Sequence, residues 1–235
     1  MYDESRDDVR IGNQTTSLAA CLTGVYWWMT FALVVSGLTA YMVGTSEDLA
    51  KIFVKNPGVF LVLAIVEIVM VIGITAGINK LSAATATALF ILYAAINGLT
   101  LSVIFLAYTL GSIAVTFAVT AGTFGAMAVI GTVTKKDLTS FGNLLLMALL
   151  GLIIASIVNL FWTSETLYWI CTYAGVLIFV GLTAYDAQKI KQMYINAGTD
   201  NPETTRKIAV LGALSLYLDF INLLLYLLRI FGRRR

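Results

Sequence analysis

The sequence is poor in the residues that most often carry chemistry in proteins. Histidine is absent, and cysteine occurs only twice among 235 residues. Without histidine, a response to pH requires a carboxylate whose pKa is raised by burial or by a like charge. Two cysteines also give too few ligands for a zinc site. Cys21 and Cys171 are predicted to lie near opposite membrane faces and therefore to stay unpaired.

Charge is also scarce. Charged residues make up 12% of the chain and hydrophobic residues 59%, with a mean hydropathy of +0.89. Soluble domains carry about 25% charged residues, so the composition predicts an integral membrane protein whose main partner is the lipid bilayer. No nucleic-acid partner is expected. The polar start of the chain lacks the basic stretch of a signal peptide, so no cleavage is expected.

Apolar runs of roughly 20 residues, the length that spans a bilayer, recur along the chain. The links between them are short, and none could house a soluble domain. The sequence therefore predicts an all-α membrane protein with one seven-helix domain at 21–235, preceded by a polar N-terminal segment at 1–20. The seven segments are 21–43, 59–78, 83–108, 112–133, 144–162, 167–186 and 208–231.

The basic residues divide unequally between the two faces that seven spans create. Nine lie on the side of the N-terminus and of loops 2–3, 4–5 and 6–7, and six lie on the other side. The positive-inside rule therefore predicts a cytoplasmic N-terminus. The three arginines at 233–235 oppose the rule. Two interpretations are open. The basic residues of loops 2–3, 4–5 and 6–7 could outweigh these arginines, which is the interpretation we prefer, or the last segment does not cross the membrane fully.

Asp219 lies in the middle of the last apolar segment. A carboxylate at that depth costs about 2.5–3.5 kcal/mol on insertion scales, so an acid there is by default a functional-site hypothesis. It belongs to a polar stripe whose spacing of 3, 4, 3 and 4 residues places all members on one helix face. The stripe consists of Gly212, Ser215, Asp219, Asn222 and Tyr226.

Other segments carry polar faces that could meet this stripe. Tyr93 and Thr100 share a face with Asn97, Thr116 and Thr123 share one with Thr120, and Ser156 shares one with Asn159. Each of these residues could equally be a hydrogen-bonding contact between packed helices. The candidates for lining an ion path are Ser215, Asn222, Asn97, Thr120 and Asn159.

Asp186 ends the sixth segment near the predicted cytoplasmic face, where Lys189 or Lys191 could neutralise it as an ordinary interfacial acid. With a helix rise of about 1.5 Å per residue, Asp186 and Asp219 differ in depth by roughly 10–15 Å. The two meet only if the last helix begins outside the hydrocarbon or if the cytoplasmic half is a water-filled funnel.

Glu67 is a third acid inside the apolar segments and lies in the outer half of the second. Arg229 follows Asp219 by ten residues, which places it about 15 Å further out along the last helix. The depths therefore allow an ion pair between Glu67 and Arg229.

Residues 213–223 (ALSLYLDFINL), followed by LLRIFG at 227–232, resemble the C-terminal signature of the Bax inhibitor-1 (TMBIM) family. The stretches KKDL at 135–138 and VGLTAYD at 180–186 fit the same family, and the resemblance covers essentially the whole chain. It implies a seven-helix fold with the seventh helix central and surrounded by the other six. It also implies a pH-sensitive cation leak, chiefly for Ca²⁺, in the bacterial inner membrane.

The resemblance also assigns roles to residues. Asp186 and Asp219 correspond to a di-aspartyl pH sensor that gates the cytoplasmic side and could coordinate passing Ca²⁺ transiently. Glu67 and Arg229 correspond to an acid on the second helix and an arginine late on the seventh. A better-studied bacterial homologue in the family has a basic residue near the end of the second helix that engages the aspartates. Residues 76–79 (AGIN) contain none here, and Lys80 is the nearest candidate.

In the mechanism predicted for such a leak, two carboxylates share a proton and hold helices six and seven together. Deprotonation makes the charges repel and opens the path for Ca²⁺, and no cofactor is expected beyond the transported ion. The alternative is a membrane interaction protein that regulates a membrane-anchored AAA protease through residues 1–16. Intramembrane aspartyl proteases also use paired aspartates, but their Gly-x-Gly-Asp element is absent, so no enzyme is predicted.

Overall fold

The computed structural model describes residues 4–46, 56–198 and 201–234. Seven helices in these ranges are long and apolar enough to cross a membrane, as the sequence predicted. A five-residue helix, α4, continues the third span after a break at Ser102. The helices are α1 (Glu4–Thr45), α2 (Pro57–Gly77), α3 (Ala83–Leu101), α4 (Val103–Ala107), α5 (Leu110–Val133), α6 (Thr139–Phe161), α7 (Glu165–Ala197) and α8 (Pro202–Phe231).

The sixth and seventh spans are longer than their apolar runs. At the start of α7, the Ser164 hydroxyl accepts a hydrogen bond from the Leu167 amide, and left-handed Gly198 (φ 58°) ends the helix. The Asn201 side chain caps α8 by accepting from the Glu203 amide, with Pro202 at the first helical position. These are ordinary capping signals, and they place the helix ends beyond the hydrophobic residues.

The first helix also extends beyond its apolar run. Helix α1 begins at Glu4 and has 42 residues, which corresponds to about 63 Å of helix. Its membrane-spanning part begins at Leu18, so most of the predicted polar N-terminal segment is helical. Residues 1–3 lie outside the described ranges, as do Arg235 and the stretch 47–55 that holds two lysines of the charge comparison.

Helix α8 is the centre of the bundle and the most buried of the spans. It packs directly against α1, α3, α5 and α7. The remaining two spans form an outer layer, since α2 packs on α3 and α6 packs on α7. This arrangement explains why α8 carries apolar or small residues on most of its circumference, whereas α2 and α6 present apolar residues to lipid.

Both ends of α8 are held by other parts of the chain. At its start, the Glu203 carboxylate accepts a hydrogen bond from the Ala83 amide at 2.6 Å, which caps α3. At its end, the Thr109 amide donates to the Arg233 carbonyl at 3.1 Å and the Arg233 amide donates to the Ser112 hydroxyl at 2.8 Å. Helix α8 therefore runs the full length of the bundle.

Candidate functional site

The Asp219 carboxylate is enclosed by the bundle. The residue is 4% exposed, and its Oδ2 atom is buried without a hydrogen-bond partner in the described part of the chain. A buried polar atom without a partner is rare in proteins because it loses its water without replacement. A proton, a water molecule or a cation could satisfy this oxygen, so the position is suited to titration or ion contact.

Asp186 approaches Asp219 from the neighbouring helix. Helices α7 and α8 are antiparallel, and two close contacts set their register. Gly175 of α7 packs on the Tyr226 ring of α8, and Gly212 of α8 packs on Ile190 of α7. Asp186 then faces α8 about one turn, or ~5 Å, before Asp219. The depth difference of roughly 10–15 Å that the sequence predicted between Asp186 and Asp219 is wrong. Helix α8 begins at Pro202, six residues before the apolar segment from which that depth was counted.

One basic side chain acts on both carboxylates. Lys189, one turn beyond Asp186 on α7, interacts electrostatically with Asp186 and with Asp219. Its ammonium group also lies over the Tyr185 ring at 5.7 Å. Lys80, the candidate at the end of the second span, is exposed. A positive charge beside the pair therefore comes from the sixth span.

Glu67 belongs to a different set of contacts. Its Oε2 accepts a hydrogen bond from Nδ2 of the Asn97 side chain at 3.0 Å, and its Oε1 accepts one from the Thr100 hydroxyl. Oδ1 of the same Asn97 side chain accepts a hydrogen bond from the Tyr217 hydroxyl at 2.8 Å. That hydroxyl lies 2.6 Å from the Ser36 hydroxyl. This polar cluster links α2, α3, α8 and α1 across the bundle.

The structure does not bring Glu67 and Arg229 together. The Arg229 guanidinium lies over the rings of Tyr168 and Tyr226, at 5.4 Å and 4.9 Å from their centres. Asn97 bonds both Glu67 and Tyr217, so Glu67 lies at the depth of Tyr217. Tyr217 precedes Arg229 by twelve residues on α8, which separates the two by about 18 Å along the helix. Cation–π contacts and the polar cluster thus take the place of the expected ion pair.

The ion-path candidates fall in different surroundings. Asn97 is buried and joins the polar cluster, which makes it a contact between helices. Thr120 is fully buried, but its hydroxyl donates to the Thr116 carbonyl of its own helix. Ser215 and Asn222 are half-buried on the face of Asp219. Asn159 lies at the end of α6, where it accepts from the Ser164 amide at 2.9 Å.

Three residues at the centre of this geometry were missed by the sequence reasoning. Tyr217 and Ser36 are fully buried partners in the polar cluster. Gln188 binds the loop between α5 and α6, accepting from the Leu138 amide at 2.8 Å and donating to the Lys136 carbonyl at 2.7 Å. A hydroxyl inside an apolar run is the signal that could have found the first two, because a buried tyrosine usually needs a partner.

The loop bound by Gln188 also holds an acid that is separate from the pair. The Asp137 carboxylate is exposed and accepts hydrogen bonds from the Thr139 hydroxyl and amide. These bonds hold the pKa of Asp137 below its usual range. Asp137 thus provides a carboxylate outside the membrane for comparison with Asp186 and Asp219.

Comparison with known proteins agrees with this arrangement. A family model described as "Inhibitor of apoptosis-promoting Bax1" matches residues 18–235. The chain belongs to the Bax inhibitor-1 family. A relative named inner membrane protein YbhL from Escherichia coli strain K12 is 50% identical over 218 residues, which cover 93% of each chain.

Further relatives in the Bax inhibitor-1 family carry no activity in their names. An uncharacterised protein of Borreliella burgdorferi is 45% identical, covering 91% of this chain and 92% of its own. One from Rickettsia prowazekii is 40% identical, covering 90% of this chain and 88% of its own. Both aspartates, Glu67 and the α8 signature lie within the part of the chain that the family matches.

Proposed function

We propose that this member of the Bax inhibitor-1 family is a pH-sensitive cation leak, chiefly for Ca²⁺, gated by Asp186 and Asp219. The observation that supports it best is the buried Oδ2 of Asp219, which lacks a partner and faces Asp186 about one helical turn away. The proposed location is the bacterial inner membrane, with the N-terminus in the cytoplasm.

The proposed gate works by the charge of the pair. Two carboxylates close together in a medium of low dielectric constant do not ionise independently, and a shared proton favours their approach. In the protonated state α7 and α8 stay packed and the path is closed. Loss of the proton leaves two negative charges that repel, and α7 moves away from the central helix at that end. The leak therefore increases as the pH rises.

Calcium is the transported substrate in this proposal. Carboxylate and amide oxygens are the ligands that Ca²⁺ prefers, and a tight site needs six to eight of them. No group of three or more His, Cys, Asp or Glu side chains that could hold a metal occurs in the described ranges. Two aspartates and the nearby Ser215 and Asn222 would instead give weak contacts, which suit an ion that must leave again.

The experiment measures Ca²⁺ flux into proteoliposomes as a function of pH for the wild type, Asp219→Asn and Asp186→Asn. We expect flux that increases with pH in the wild type and a flat profile in both variants, because asparagine cannot lose a proton. Asp137→Asn is the matched control. It removes an exposed carboxylate from the loop next to α7 and should keep the wild-type profile.

A wild-type pH profile that survives in both aspartate variants would overturn the gate. Absence of flux from the wild type at every pH would favour the second candidate, a membrane interaction protein that regulates an AAA protease. For that role the relevant observation is the helical extension of α1 from Glu4 to the start of the membrane span at Leu18.

A further inference from the structure

A groove of about 980 Å³ lies between α1, α3 and α8, near the end of the bundle where α8 begins. It is as large as a typical small-molecule site, for which about 300–1,000 Å³ is usual. Small side chains leave this space open, because Gly24 of α1, Ala84 and Ala88 of α3, and Ala209 of α8 line it. The groove is separate from Asp186 and Asp219, so it is independent of the proposed gate.

The groove opens towards the bilayer. Ala84 and Ala88 on one wall and Trp28 on the other are exposed at the surface of membrane-spanning helices. Its walls are predominantly apolar, so it offers few groups that could bind water. An apolar chain drawn from the surrounding lipid is the occupant that this environment supplies.

The groove also has a positively charged mouth. Arg206 of α8 lines it and is exposed. The start of α3 lies beside it, where the Glu203 carboxylate accepts the Ala83 amide hydrogen. The Arg206 guanidinium favours an anion at the mouth of the groove, whereas the Glu203 carboxylate already occupies the start of α3.

We propose that the groove binds an anionic phospholipid. One acyl chain lies between α1 and α3 against Ala88, and the phosphate group contacts Arg206. This end of the bundle is the one that the charge distribution places in the cytoplasm, where basic sites between helices meet anionic lipid headgroups. The lipid touches α8 in its first two turns and thereby supports the beginning of the central helix.

The test counts bound lipid by native mass spectrometry of purified, delipidated protein titrated with phosphatidylglycerol or phosphatidylcholine of identical chains. We expect the wild type to bind phosphatidylglycerol more tightly. Arg206→Gln should weaken phosphatidylglycerol binding about fivefold, as expected for one arginine near a lipid headgroup, and leave phosphatidylcholine binding unchanged. Lys207→Gln, which removes the same charge one residue away, should keep the preference.

A second variant tests the acyl-chain part of the site. Ala88→Phe fills the groove and should reduce binding of both lipids several-fold, whereas Ala114→Phe at an exposed position of α5 should not. Equal binding of the two lipids by the wild type, or equal losses in Arg206→Gln and Lys207→Gln, would overturn the proposal. Since Arg206 is exposed, its variant is expected to fold even if Ala88→Phe does not.

Discussion

Glu67 and Asp219 are two membrane-embedded carboxylates with opposite surroundings. Both oxygens of Glu67 accept hydrogen bonds from α3, which satisfies both acceptor atoms and attaches the outer helix α2. Asp219 is more deeply buried and keeps an oxygen without a partner. A satisfied carboxylate contributes to structure, whereas an unsatisfied one is available to bind a proton or an ion. The two acids therefore differ in their surroundings, although both lie within membrane-spanning helices.

At the same scale, the Tyr217 hydroxyl can be tested directly. Tyr217→Phe removes the donor to Asn97 and the partner of Ser36 and leaves two buried polar side chains less satisfied. We expect a loss of about 1–2 kcal/mol in the free energy of unfolding, measured by denaturation in detergent micelles.

Tyr173→Phe is the control for that variant, because Tyr173 is 55% exposed and its ring stacks on Trp169. It should unfold like the wild type. If both tyrosine variants unfold alike, the polar cluster contributes nothing measurable and Tyr217 is held by its ring contacts with Phe90 and Tyr93.

The sequence identified Asp219 because an acid in an apolar run is costly and therefore stands out. It did not identify Tyr217 or Ser36, because a tyrosine or serine in such a run costs little and its partner lies on a distant segment. The distance between Asp186 and Asp219 was misjudged for a related reason. It depends on helix register, which the contacts of Gly175 and Gly212 determine and which no pattern within one segment records.

At the scale of helices, the contact between α5 and α7 depends on Gly131. A Cβ atom there would collide with the backbone carbonyl of Ala184, which cannot rotate away as a side chain would. Gly131→Ala should therefore force the two helices apart and cost about 1–3 kcal/mol or more of unfolding free energy. Thermal denaturation of the purified protein measures the loss.

Gly122, on the same helix, provides the comparison. A Cβ atom there meets nothing within 4 Å, so Gly122→Ala should be neutral or stabilise the protein by up to about 1 kcal/mol through helix propensity. Equal destabilisation by both alanines would show that general changes in α5, rather than its contact with α7, determine the outcome.

The number of spans could be predicted because seven apolar runs have the length that a bilayer requires. Helix ends could not be placed equally well. Helices α7 and α8 continue through charged residues that hydropathy excludes, and Ser164, Gly198 and Asn201 set their limits by capping. The break in the third span at Ser102 was missed too, since its hydroxyl bonds the Leu99 carbonyl without interrupting the apolar pattern.

At the scale of the whole molecule, the loop at 134–138 and the residues that follow α8 lie at opposite ends of the bundle. We predict that Lys136→Cys and Arg234→Cys label on opposite sides of the membrane. An impermeant maleimide added to spheroplasts should react with Arg234→Cys alone, and with both variants after permeabilisation. The native Cys21 and Cys171 are buried, so background labelling should be low.

Reaction of both variants before permeabilisation would contradict seven complete crossings. Reaction of Lys136→Cys alone would reverse the predicted orientation and place the N-terminus outside. A reversed orientation leaves the packing of the helices unchanged, since the contacts at both ends of α8 do not depend on which side is the cytoplasm.

The central position of α8 has a consequence for biosynthesis. The helix that fills the middle of the bundle leaves the ribosome after the other six spans, so those spans enter the bilayer before their core exists. Until then Ser36 and Asn97 lack the Tyr217 hydroxyl that joins them. The four helices that pack on α8 also lack their central partner. Cooperative folding must therefore wait until α8 has been synthesised, and a nonsense mutation anywhere upstream of α8 should release a product for membrane quality-control proteases.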